Sequence, residues 1–154
     1  MKLKKEILLK LSLLVFTALL INCSSKHNSP SSEEIQLNKL SATWNITSVT
    51  KDGVAESGYD NLKLTLSGST ASQTYVYSVA GRPAKGPWPA GGSWSFGRDV
   101  VRQLIRDKRT PDELPMSYSI TGNTMTLQFQ FTGIGYVGGK IDAASGNWSF
   151  VFSR

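Results

Sequence analysis

Met125-Thr126-Leu127-Gln128-Phe129-Gln130-Phe131 alternates apolar and polar side chains without a fault. A strand points successive side chains to opposite faces, so this run is a β-strand with one buried and one wet face. Gly122-Asn123 just before it makes a tight turn, and Met116, Tyr118 and Ile120 give the preceding strand the same period. Working outward, Leu62, Leu64 and Leu66 repeat the pattern. So do Tyr75, Tyr77 and Val79, then Trp94 and Phe96, then Trp148, Phe150 and Phe152. Trp44, Ile46 and Ser48 open the series. Gly, Asn, Asp and Pro punctuate these runs.

Residues 100–107 fit two templates. Val101, Leu104 and Ile105 would line one side of a helix. Eight residues make a marginal helix, so a strand is preferred. Counting it gives about eight short strands. The expected fold is all-β, a small antiparallel meander closed as a barrel or, alternatively, folded as a β-sandwich.

The N-terminus has a different grammar. Lys2, Lys4 and Lys5 precede an apolar run of eleven residues, 11–21, and the chain's single cysteine, Cys23, follows. That run suits a secretory signal and is too short to span a bilayer. Three segments are expected: a signal at 1–22, a tether at 23–38 rich in Ser, Asn and charge, and a β domain at 39–154. Within the tether, residues 33–37 could add a helical turn. Removing residues 1–22 takes away four of the 17 basic and one of the 11 acidic residues, leaving a formal balance of +3. A balance that small, without a clustered basic face, does not point to nucleic acid. The densest basic group is Arg98, Arg102, Arg106, Lys108 and Arg109, interleaved with Asp99 and Asp107. It is expected to be a solvated strand face and turn.

Leu20-Ile21-Asn22-Cys23 resembles the lipobox of bacterial lipoproteins, departing from it at Asn22 where Gly, Ala or Ser is usual. The resemblance implies lipidation at Cys23: a covalent diacylglycerol and an N-acyl chain, with no other cofactor. It implies a membrane-anchored protein of the cell envelope. Ser24 after the cysteine favours the outer membrane of a Gram-negative bacterium. Two or three acyl chains anchor stably where one does not.

Leu40-Ser41-Ala42-Thr43-Trp44 is similar to the opening strand of lipocalins, with Ala42 in place of their glycine. Together with Trp88-Pro89-Ala90-Gly91-Gly92-Ser93-Trp94-Ser95-Phe96, the layout resembles uncharacterised lipocalin-like lipoproteins. The resemblance implies a lipocalin-like barrel and supplies no catalytic residues. At 116 residues the domain is short for a roomy ligand cavity.

Chemistry is constrained by what the domain lacks. Its only histidine, His27, lies in the tether, and no thiol remains beyond Cys23. Ser-His-Asp, Cys-His and His-based metal sites are therefore not expected. The carboxylates Asp52, Glu56, Asp60, Asp99, Asp107, Asp112, Glu113 and Asp142 fall in expected turns, where capping explains them. A non-enzymatic protein is expected, a monomer that binds a small apolar or amphipathic ligand. The candidate ligand-binding residues are Tyr75, Tyr77, Trp88, Phe129, Phe131 and Tyr136. Trp88, between Pro87 and Pro89, either presents its indole outward or folds back as a plug. The alternative function is a structural or interaction module of the envelope, contacting protein or glycan through Trp88 and the loop at 133–145.

Overall fold

The computed structural model describes residues 29–83, 86–135 and 144–154. Among these residues one helix, α1 (Ser32–Leu40), precedes nine strands. These are β1 (Ala42–Lys51), β2 (Val54–Ala55), β3 (Lys63–Ser69), β4 (Thr74–Ala80), β5 (Gly91–Phe96), β6 (Gln103–Arg106), β7 (Leu114–Thr121), β8 (Thr124–Phe131) and β9 (Gly146–Ser153). All pairings are antiparallel, and β1 pairs with β9 as well as β3. That closure makes an eight-stranded barrel and removes the sandwich alternative. The ninth strand, β2, is a two-residue extension hooked onto the end of β1.

The Met125–Phe131 alternation is realised in the β8–β9 ladder, which runs unbroken from Thr124↔Ser153 to Phe131↔Gly146. Asp52 (φ 50) and Gly53 (φ 80) both adopt the left-handed conformation that a two-residue hairpin loop demands. In β1 the register shifts between Ile46 and Ser48. This bulge turns Ser48 outward and brings Val49 into the core, where strict alternation would have placed Ser48. The expected strand over 100–107 shortens to Gln103–Arg106. Asp99 takes the preceding residues into a turn, accepting from the Arg102 and Gln103 amides on its carbonyl and from the Val101 amide on its carboxylate.

The tether ends earlier than expected. Ser31 and Glu34 form a capping box: the Ser31 hydroxyl accepts from the Glu34 amide, and the Glu34 carboxylate accepts from the Ser31 amide. The helix they start buries Gln36, Leu37 and Leu40 against the barrel end. Residues 32–38 therefore belong to the folded unit, because Leu37 supplies apolar surface that the open end needs. Trp44 Nε1 donates to the Leu40 carbonyl at 2.8 Å and ties helix to barrel. Tyr118 donates to the Val100 carbonyl and lies 3.4 Å from Gln36 Oε1. Burial, aided by the Asp99 charge, pushes the Tyr118 hydroxyl up to about 12.

The two barrel ends thus differ. At the helix end the connections are short: 70–73, 97–102 and 122–123. The far end carries the long connections 56–62, 81–90, 107–113 and 132–145. That far end is the mouth.

Candidate functional site

The connection between β4 and β5 turns inward over the mouth. Gly81 is required at its start: φ is 65, and a Cβ there would overlap the Asn61 carbonyl. Pro87 and Pro89 stiffen the approach, and Trp88 folds back as a plug, only 2% exposed. Its indole meets Tyr77, Phe129 and Phe150 edge-on, with centroids 6.0, 5.6 and 5.8 Å away. Phe150 in turn stacks on Phe129 and on Trp148. Tyr59 closes the cluster against Trp148 and Phe150, and burial raises its hydroxyl pKa well above the usual 10. Eight strands make an interior just wide enough for side chains to fill, and rings fill this one.

Two cations hold the plug. Arg106 Nη1 donates to the Pro87 carbonyl at 2.8 Å, and its guanidinium lies 5.6 Å from the Trp88 ring. Arg82 Nη1 donates to the Trp88 carbonyl at 3.3 Å. Arg106 follows Leu104 on the inward face of β6 and is 1% exposed. It is therefore not part of the solvated cationic face expected from the sequence. A buried cation needs compensation, and Asp107 supplies part of it, with Oδ2 3.5 Å from Arg106 Nε. The same oxygen accepts from the Tyr77 hydroxyl at 2.7 Å, and Oδ1 accepts from the Ser93 amide at 2.8 Å.

The four tryptophans divide on one point. Trp44 donates to the Leu40 carbonyl, Trp148 to the Ala144 carbonyl, and Trp94 to the Ser67 and Val76 carbonyls. Trp88 Nε1 is buried and has no hydrogen-bond partner among the described residues. An unmet buried donor costs about 1–3 kcal/mol, and this one lies at the mouth.

Beside the plug, a groove of about 410 Å³ opens between the 111–114 segment and the end of β8, lined by Arg106, Leu114, Gln130, Phe131 and Ile134. A second, of about 500 Å³, crosses the outer wall where the β4–β5 ladder stops at Val76↔Ser93, with Lys108 and Arg109 at its rim.

The structure brings Tyr77, Trp88 and Phe129 into one cluster and sets half-buried Phe131 in the groove next to it. Tyr75 stands apart, packed on Trp94 and Phe96, its hydroxyl buried near Glu33. Tyr136 and Cys23 lie outside the described residues. Sequence reasoning missed Tyr59, Arg106 and Asp107 as parts of the site. The signal for Arg106 was present in its two-residue spacing from Leu104. Among the described residues, no three His, Cys, Asp or Glu side chains gather as metal ligands would. What the fold and site define is an eight-stranded antiparallel barrel, capped by a helix at one end and plugged by a tryptophan at the other. No family model matches the chain, and no curated protein or solved structure matches it.

Proposed function

We propose that this chain is a lipid-anchored, lipocalin-like protein of the cell envelope that binds a small amphipathic ligand at the barrel mouth without transforming it. The observation that carries the reading is the buried Trp88 indole with its unmet Nε1 donor. A ligand with a carbonyl, hydroxyl or carboxylate oxygen beside an apolar body satisfies both features of the site. The body lies in the groove against Phe131 and Leu114, which Arg106 joins to the plug, and the oxygen accepts from Trp88 when the plug shifts to admit it. The anchor is the acylated Cys23 implied by the lipobox, in the outer membrane by the Ser24 rule. No helix among the described residues is long and apolar enough to cross a membrane. A module that offers Trp88 outward to a glycan or protein draws no support from a side chain 2% exposed.

Native mass spectrometry of the protein purified from its own host tests the reading. A co-purifying small molecule is expected, and Trp88→Phe, which lacks the donor, should retain it less. Protein that carries no small molecule, with no change in tryptophan emission across a panel of fatty acids, acyl glycerols and quinones, would sink it.

A further inference from the structure

The chain enters the barrel at the end opposite the mouth, and this biases which way a tethered domain stands on a membrane. From Cys23 to Ser31 there are eight residue steps, a reach of at most about 29 Å. Ser31 caps α1, which lies across the helix end. An eight-residue strand such as β7 (Leu114–Thr121) is itself about 26 Å long. With strands tilted by about 40° the wall is about 20 Å high, so standing mouth-down on the bilayer would use most of the tether's contour in running back along it. Helix-end-down uses little of it.

That end also has a surface suited to the contact. Val101 stands 48% exposed on the β5–β6 turn, with exposed Arg98 and Arg102 on either side. The intervening acid, Asp99, is also exposed, one carboxylate oxygen held by the Val101 amide. Ile35, 41% exposed, is on the adjoining helix, which Gln36 and Tyr118 bring against the same turn. Two apolar tips with arginines beside one of them suit a bilayer interface: the aliphatic groups enter the acyl boundary and the guanidinium groups meet phosphates, while the exposed acids Asp99 and Glu34 keep the surface near neutral, so the apolar contact carries the docking.

We infer that the α1 and 97–102 surface rests on the anchoring bilayer, with Val101 and Ile35 in its interface, so that the Trp88 mouth opens away from that membrane. This rests on the acyl anchor at Cys23 proposed above. The ligand is then taken from the compartment the mouth faces, or from a facing surface, and not laterally from the anchoring leaflet.

Hydrogen–deuterium exchange tests the orientation. The lipoprotein, with its acylated Cys23, is placed in vesicles of phosphatidylethanolamine and phosphatidylglycerol. The Cys23→Ala chain, mixed with the same vesicles, is the reference. Exchange at 32–40 and 97–102 is expected to slow about threefold or more on the vesicle, as local opening is suppressed, with 107–113 unchanged. Val101→Asp with Ile35→Asp should abolish the protection and leave the circular dichroism spectrum intact, since both side chains are exposed. Protection at 107–113, or at neither end, overturns the inference. Intact mass decides the anchor separately: if Cys23 carries no acyl chain, its thiol is coupled to a maleimide lipid and the same comparison judges the surface alone.

Discussion

Arg106, the last residue of β6, reaches from inside the barrel to the Pro87 carbonyl at 2.8 Å and carries the Trp88 ring on its guanidinium. A strand that could have ended in a leucine ends in a buried cation. Its bond is to the backbone of a loop, so its work is positional: it sets where the plug closes. The desolvation of the cation is offset by that carbonyl, by Asp107 and by the ring face.

Replacing Arg106 by Met keeps the stem and removes the head. The bond to Pro87 and the ring contact are lost, while the burial of charge is relieved. A net loss of about 1–3 kcal/mol is expected, with faster amide exchange at 86–90 than anywhere else in the domain. Urea denaturation gives the first quantity and exchange mass spectrometry the second. Uniform loosening of all strands would contradict a role specific to the plug.

The tryptophans allow a matched comparison. Trp148→Phe removes an N–H that the Ala144 carbonyl accepts at 2.8 Å, whereas Trp88→Phe removes one with no partner among the described residues. Both lose ring volume. The Trp148 variant is therefore expected to cost about 1 kcal/mol more than the Trp88 variant, measured as the difference in unfolding free energy. Equal costs would mean that Trp88 Nε1 is satisfied in solution.

A chain that starts at Lys39, where the sequence places the domain boundary, lacks most of α1. It loses the burial of Leu37 and uncovers the rim of the core around Leu40 and Trp44. A loss of about 1.5–3 kcal/mol is expected for the Leu37 side chain alone, relative to a chain that starts at Pro30. Denaturation midpoints of the two truncations check it, and matched midpoints would mean that the helix adds nothing to the barrel.

The barrel was legible in the sequence because each strand exposes one face and buries the other, so alternation is written plainly at Met125–Phe131 and Tyr75–Val79. Closure was not, since the β1–β9 pairing joins residues such as Asn45 and Ser153, between which no local pattern connects. The helix was half seen. Residues 32–40 show no strong apolar stripe, and α1 is fixed by its capping box and by two leucines. At the site, Tyr77 and Phe129 were found because aromatic residues on an inward strand face are conspicuous, whereas Tyr59 lies in a connection with no such period. Arg106 was grouped with its charged neighbours because charge along a sequence suggests solvent. The alternation that puts it beside Leu104 was the better guide.

Alkaline pH should weaken the fold before any strand is broken by other means. Burial raises the hydroxyls of Tyr59 and Tyr75 above the usual 10 and lifts Tyr118 to about 12. Between pH 10 and about 12 the unfolded chain has lost the Tyr118 proton while the folded chain retains it, and Tyr59 and Tyr75 act in the same direction. The folded state then binds more protons than the unfolded one, so stability falls as pH rises. This contribution is fully present below pH 10 and is lost as pH passes through the folded values. Urea midpoints are expected to be flat with respect to these groups from pH 8 to about 10 and to decline above that. In Tyr118→Phe the decline should be shallower, because one of the three groups no longer titrates, although the variant starts lower for want of the bond to Val100. A variant with the same slope as the parent would remove Tyr118 from the account.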